Sequence, residues 1–112
     1  MSHEMTEGFE PRSVVIVNLV NPKEKFFGLL IELSPAGVTV RGINLDAYED
    51  WIRQIAHREE ANLDVTTIFF PLFRVERIYL DEASGSIKSY AQRFNEVTGM
   101  AVRTYLGLER GH

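Results

Sequence analysis

The sequence predicts an α+β domain: five strands, the first three an antiparallel meander, with a helical insertion between the third and fourth strands and helices at the C-terminal end. Three observations carry this expectation. Up to residue 43, three stretches rich in Val, Ile, Leu and Phe are separated by turn-forming residues, as in a meander. The apolar period then becomes helical, returns to strand-like runs between residues 65 and 80, and turns helical again. Finally, 112 residues with 45% hydrophobic and 25% charged side chains suit one folded domain with its own core and leave no room for a second.

The first strand is expected over Ser13 to Val20, dense in valine and isoleucine, and it stops at Asn21-Pro22-Lys23-Glu24, whose Asn and Pro favour a turn. Lys25 to Leu33 forms the second, with Phe27, Leu29, Ile31 and Leu33 on one face. Ser34-Pro35-Ala36-Gly37 then supplies Pro and Gly where a tight turn uses them. Val38 to Ile43 alternates in the manner of a third strand. Glycine at position 28, inside a strand, marks a close backbone approach that Gly28→Val should disturb.

From about Ala47 to Arg58, Tyr48, Trp51, Ile52 and Ile55 recur at helical spacing between charged residues. Asp46 followed by Glu49 resembles a capping box at the helix start, and the run from His57 to Asn62 reads as a solvated end and loop. Val65 to Phe73 is a fourth strand in which Pro71, lacking an N–H, marks an edge, a bulge or a bend. Val75 to Leu80 is a short fifth strand. After the loop at Asp81 to Gly85, Tyr90, Ala91, Phe94 and Val97 keep helical spacing up to Gly99, placed for a left-handed cap. Ala101, Val102, Tyr105 and Leu106 add one short helical turn closed by Gly107. The domain is thus expected over 13–107, with residues 1–12 a disordered tail and 108–112 a second tail.

Composition excludes several chemistries. With no cysteine, disulfides, thiolate metal sites and cysteine nucleophiles are out of reach. The polar, mostly acidic residues Met1 to Arg12 have no basic start followed by an apolar run, so a cleaved signal peptide is not expected, and the longest apolar stretch falls far short of the roughly 20 residues of a membrane helix. A cytoplasmic protein is the expectation. A net charge of −4 opposes bulk attraction to phosphate backbones.

Strand order, a long second strand containing Gly28 and a short fifth strand resemble the small SH3-type barrel of the Sm-like family. The likeness spans Ser13 to Leu80, and Val15, Val17, Leu19, Gly28, Leu30 and Leu33 resemble that family's first motif. It implies a barrel and a ring or other oligomer. The RNA-contacting residues of the family have no counterpart: Ser34-Pro35-Ala36-Gly37 replaces the aspartate and asparagine between strands two and three, and Phe70-Pro71-Leu72-Phe73 replaces the Ile-Arg-Gly after strand four.

Candidate sites are sparse. His57 with Asp50, Glu59 or Glu60 offers one imidazole beside carboxylates, but a metal site needs a second well-spaced ligand, and a solvated histidine is the simpler reading. Ser84-Gly85-Ser86 lacks the strand-to-helix glycine pattern that cradles phosphate. No catalytic residue, metal or cofactor is expected. Arg41, Arg74 and Arg77 are candidate anion or nucleic-acid contacts, and nucleic-acid binding further requires them to gather with Arg103 into one patch. Local pairing with Glu76 or Asp81 accounts for them equally well.

The most informative feature is a surplus of apolar side chains on both faces of the strands, which one core cannot absorb. Helices covering the outer face through Trp51, Ile55, Phe94 and Val97 explain part of it. The rest marks Phe26, Trp51, Phe69 and Phe73 as a candidate protein interface, for self-association or another protein partner. The expected function is a non-enzymatic interaction or assembly module, with an Sm-like nucleic-acid binder as the alternative.

Overall fold

The computed structural model of the chain describes residues 9–57 and 65–110. The elements run β1 (Val14–Leu19), β2 (Glu24–Ser34), β3 (Gly37–Asn44), a 3-10 turn at Leu45–Ala47, α1 (Tyr48–Ala56), β4 (Thr66–Pro71), a 3-10 turn at Leu72–Arg74, β5 (Val75–Leu80), α2 (Tyr90–Thr98) and α3 (Val102–Arg110). All strand pairings are antiparallel, in the order β4-β3-β2-β1-β5.

The sheet is open, which corrects the expected barrel. β4 pairs only with β3 and β5 only with β1, so no ladder joins the two outer strands. Yet these edges are consecutive in sequence and joined by only three residues, Leu72–Arg74, so the sheet must curl until the end of β4 meets the start of β5. The corner itself begins at a proline. Pro71, the last residue of β4, has no N–H, and Leu72 N donates to Ala36 O instead at 2.9 Å.

Curling divides the apolar residues into two cores. On the concave side Val15, Val17, Leu19, Phe26, Leu30, Val38, Val40 and Phe70 pack together, with Ile68, Val75, Ile78 and Leu80 at their margin. On the convex side Val14, Ile16, Phe27, Leu29 and Ile43 meet Tyr48, Trp51 and Ile52 of α1, Phe94 of α2, and Val102 and Leu106 of α3. Strand side chains alternate between the faces, so both parities must be apolar, and this accounts for most of the surplus. Burying each large side chain contributes roughly 1.5–3 kcal/mol. Aromatic contacts knit the convex side: the Trp51 ring lies 5.3 Å from Phe94 and 5.9 Å from Tyr105, and Phe27 lies 5.4 Å from Tyr48.

β2 and β3 approach closely where Gly28 faces Gly42. A Cβ on Gly28 would lie 2.3 Å from Arg41 O, and one on Gly42 would lie 1.9 Å from Phe27 O. The expected close approach at Gly28 is present, and Gly42 is its other half.

Helix ends differ in places from the sequence reading. Asp46 does not cap α1. Instead Asn44 Oδ1 accepts from Asp46 N at 2.8 Å and starts the 3-10 turn, while Ala47, the residue before α1, offers no side-chain cap. α2 is capped as a box, with Ser89 Oγ accepting from Gln92 N and Gln92 Oε1 from Ser89 N, and it ends at Gly99 with φ 78° as expected. α3 passes through Gly107 to Arg110, so residues 108–110 are helical rather than tail, in keeping with the good helix propensity of Leu, Glu and Arg. Residues 9–12 are anchored: Phe9 packs against the concave core, Arg12 N donates to Leu30 O, and Arg103 Nε donates to Arg12 O. The expected tail at 1–8 and the loop at 58–64 lie outside the described residues.

Candidate functional site

β4 reads Thr-Thr-Ile-Phe-Phe-Pro, six residues without a charge. β-branched and aromatic residues favour a pleated strand, and the alternation turns Ile68 and Phe70 into the concave core. Thr67 and Phe69 take the opposite face. Because Leu72 N donates to Ala36 O, the pairs Phe70–Val38, Ile68–Val40 and Thr66–Gly42 exchange the ladder bonds, while the backbone of Thr67, Phe69 and Pro71 points outward. The missing donor of Pro71 therefore falls on the open edge, where it costs no ladder bond.

Phe69 lies across β3 rather than in a core: its ring covers Gly37, so that a Cβ there would meet the ring at 2.7 Å. The side chain stays 49% exposed, and in the following turn Leu72 is 47% and Phe73 82% exposed. Three large apolar residues thus stand in solvent within five positions of an uncharged edge strand. The other edge is better protected. β5 carries Glu76 and Arg77, and a register shift opposite Asn18 and Leu19 disturbs its ladder.

Two expected interface residues belong elsewhere. Trp51 is 0% and Phe26 8% exposed, because α1 presses the indole onto the convex core and Phe26 packs edge-on to Phe70 at 5.4 Å in the concave one. Neither offers surface to a partner. Leu72 was not singled out from the sequence, where Val65 to Phe73 reads as one strand. The proline that ends β4 was the signal that Leu72 starts a turn instead.

The arginines do not converge. Arg41, on β3, donates from Nε to Leu106 O of α3 and from Nη1 to Thr67 Oγ1 of β4. Arg74 donates to Val20 O at 2.8 Å, to Pro22 O and to Glu24 Oε1, clamping the β1–β2 turn to the corner. Arg77 sits 3.7 Å from Glu76, and Arg103 is tied to Arg12. Arg41 is level with Val14 across β2, whereas Arg74 sits beyond Leu19, so the length of β1, about 16–20 Å, separates them along the strands.

Polar groups around α2 are structural in their bonding. Both oxygens of Asp81 accept backbone N–H groups, from Tyr90 and Ala91 at 2.8 Å, at the first turn of α2. Burial nevertheless raises its pKa above the ordinary carboxylate range. Arg93 makes a two-pronged bond to Glu49 at 2.7 and 3.0 Å, joining α2 to α1 and holding the Glu49 carboxyl below its usual value. Tyr48 Oη donates to Tyr90 O at 2.5 Å, and burial pushes its phenol pKa up. His57 is exposed at the end of α1, and no cluster of three or more metal-ligating side chains exists among the described residues. Among those residues, no helix is long and apolar enough to cross a membrane. Comparison of the chain with protein-family models, curated proteins and solved structures finds no match.

Proposed function

We propose that this protein is a non-enzymatic assembly module that associates with further copies of itself along the β4 edge. The observation that carries this reading is the uncharged β4 strand, whose outer edge has no ladder partner among the described residues, with Phe69, Leu72 and Phe73 exposed beside it. An edge of this kind templates strand addition unless it is charged, bulged or covered, and among the described residues Pro71 alone blunts it, at one end. A second copy supplies the cover. Each copy offers two outer strands of six residues, β4 and β5, so strand length imposes no mismatch on either pairing. Pairing of β4 with β4 closes a two-fold dimer, and pairing of β4 with β5 generates a ring or a longer array.

The Sm-like layout belongs to the same proposal, in an open form: five antiparallel strands, with α1 inserted between the third and fourth and the outer two meeting at a three-residue corner, support it. Nucleic-acid binding is the weaker alternative, because Arg41, Arg74, Arg77 and Arg103 lie apart and are engaged with protein groups.

The test is solution mass by light scattering over a concentration series at two salt levels, for the native chain and for Phe69→Glu. The native chain is expected to exceed its monomer mass of 12.8 kDa. Phe69→Glu is expected to return to the monomer with its circular dichroism unchanged. A native chain that stays monomeric throughout would overturn the proposal.

A further inference from the structure

A second surface carries an independent inference. Where β1 meets the irregularity of β5, Asn18 lies directly between Lys25 of β2 and Arg77 of β5, one residue per strand in a single cross-strand row. Directly opposite side chains share a face and stand within reach of one another. The row floors a hollow of about 470 Å³, rimmed by Lys23 from the β1–β2 turn and by Asp46.

Two features set this hollow apart from ordinary surface. Among the described residues, Asn18 Oδ1 is the one buried side-chain oxygen or nitrogen without a hydrogen-bond partner. A buried acceptor left unmade costs free energy, and such orphans invite a functional explanation. The cations are also unequally committed. Arg77 is held loosely by Glu76 at 3.7 Å and Glu24 is turned to Arg74, whereas no ion pair of Lys23 or Lys25 exists among the described residues. Asp46 is the carboxylate of the rim that has no cation partner among those residues.

We propose that this hollow binds a small phosphomonoester that carries a hydroxyl donor: the phosphate bridges Lys25 and Arg77, with Lys23 closing over it, and the hydroxyl donates to Asn18 Oδ1. Oδ1 is closed off from solvent while Asn18 as a whole is half-buried, so the hydroxyl reaches it through a partial turn about the soft last torsion of the side chain. A bare anion satisfies the cations and leaves the acceptor orphaned. A neutral polyol does the reverse. Only a group with both functions meets the whole site.

The test is a nuclear magnetic resonance titration of the isotope-labelled chain with three probes: ribose 5-phosphate, inorganic phosphate and ribose. Ribose 5-phosphate is expected to shift the Asn18 side-chain amide and the Lys25 and Arg77 backbone signals saturably, at about tenfold lower concentration than phosphate. Ribose is expected to leave them unmoved. Asn18→Leu removes the orphan acceptor, so it is expected to fold at least as stably as the native chain and to bind the two phosphates equally. Lys25→Ala is expected to weaken both, and Asp46→Asn to tighten both by lifting a like charge from the rim. Equal binding of the two phosphates by the native chain, or no saturable shift at Asn18, would overturn the proposal.

Discussion

Replacing Gly28 with alanine places a methyl carbon 2.3 Å from the carbonyl oxygen of Arg41, 2.8 Å from its carbon and 2.9 Å from the Gly42 Cα. Ordinary contact begins near 3.5 Å, so the strands must part by about 1 Å where they are bonded on both sides. Side-chain overpacking costs roughly 1–3 kcal/mol, and the obstacle here is backbone, which cannot rotate away, so the upper end applies. The alanine also stiffens the unfolded chain, which offsets about 0.4–1 kcal/mol. The net loss expected for Gly28→Ala is about 2 kcal/mol. At roughly 4–8 °C per kcal/mol for a domain near this size, the melting temperature should fall by about 8–16 °C. Gly42→Ala, whose methyl would lie 1.9 Å from Phe27 O, should cost as much or more. The double variant should cost less than the sum, since one separation of the strands relieves both contacts. Thermal unfolding by circular dichroism, with urea midpoints as a check that the m-value is unchanged, measures all three. Melting temperatures of both single variants within about 2 °C of the native chain would refute the close approach.

Two further outcomes follow from the bonding. Glu49 has a depressed pKa in the fold because of Arg93, so its contribution is present above its ordinary value of 4.5 and is lost as pH falls through the folded value. Asp81 has a raised pKa, so its folded form takes up a proton more readily and its ionisation erodes stability as pH rises above 3.8. Glu49→Gln should therefore lose less stability on acidification than the native chain and Asp81→Asn more, read from urea midpoints between pH 3 and 6; the same pH slope in both variants would exclude this assignment. Arg74→Ala removes three bonds that hold the β1–β2 turn to the corner and should destabilise by about 1–2 kcal/mol, checked by urea unfolding.

The strands were legible because alternation and turn residues are local signals. β5 falls on Val75 to Leu80 as expected, and β1 to β3 differ from the expected bounds by one residue at each end. Closure of the sheet was not legible, since a ladder between β4 and β5 depends on the curl of five strands together, which no local pattern encodes. At the site, Phe69 and Phe73 were recognisable as surplus aromatics, whereas Phe26 and Trp51 carried the same signature and are core. A sequence gives the parity of a strand residue but not which parity a helix will cover. The arginines failed for a related reason: Arg41 and Arg74 find backbone carbonyls, Leu106 O and Val20 O, more than 50 positions away. Asn18 gave no signal at all, because its row with Lys25 and Arg77 exists only once three strands are in register.

The place of β1 in the sheet orders the folding of the chain. β1, β2 and β3 are joined by short turns and can pair as soon as they are made, with the Gly28–Gly42 approach already inside that unit. The other side of β1 must wait, since Val15 finds its partner only at Leu80, after α1 and β4 have been traversed. Closing so long a loop costs entropy before any contact repays it, which makes the arrival of β5 the natural late step. Until then β1 presents a second naked edge of almost unbroken valine, isoleucine and leucine. The growing sheet therefore exposes a more apolar edge than the finished one, in which the charged β5 stands outermost, and that edge is the more prone to mispairing.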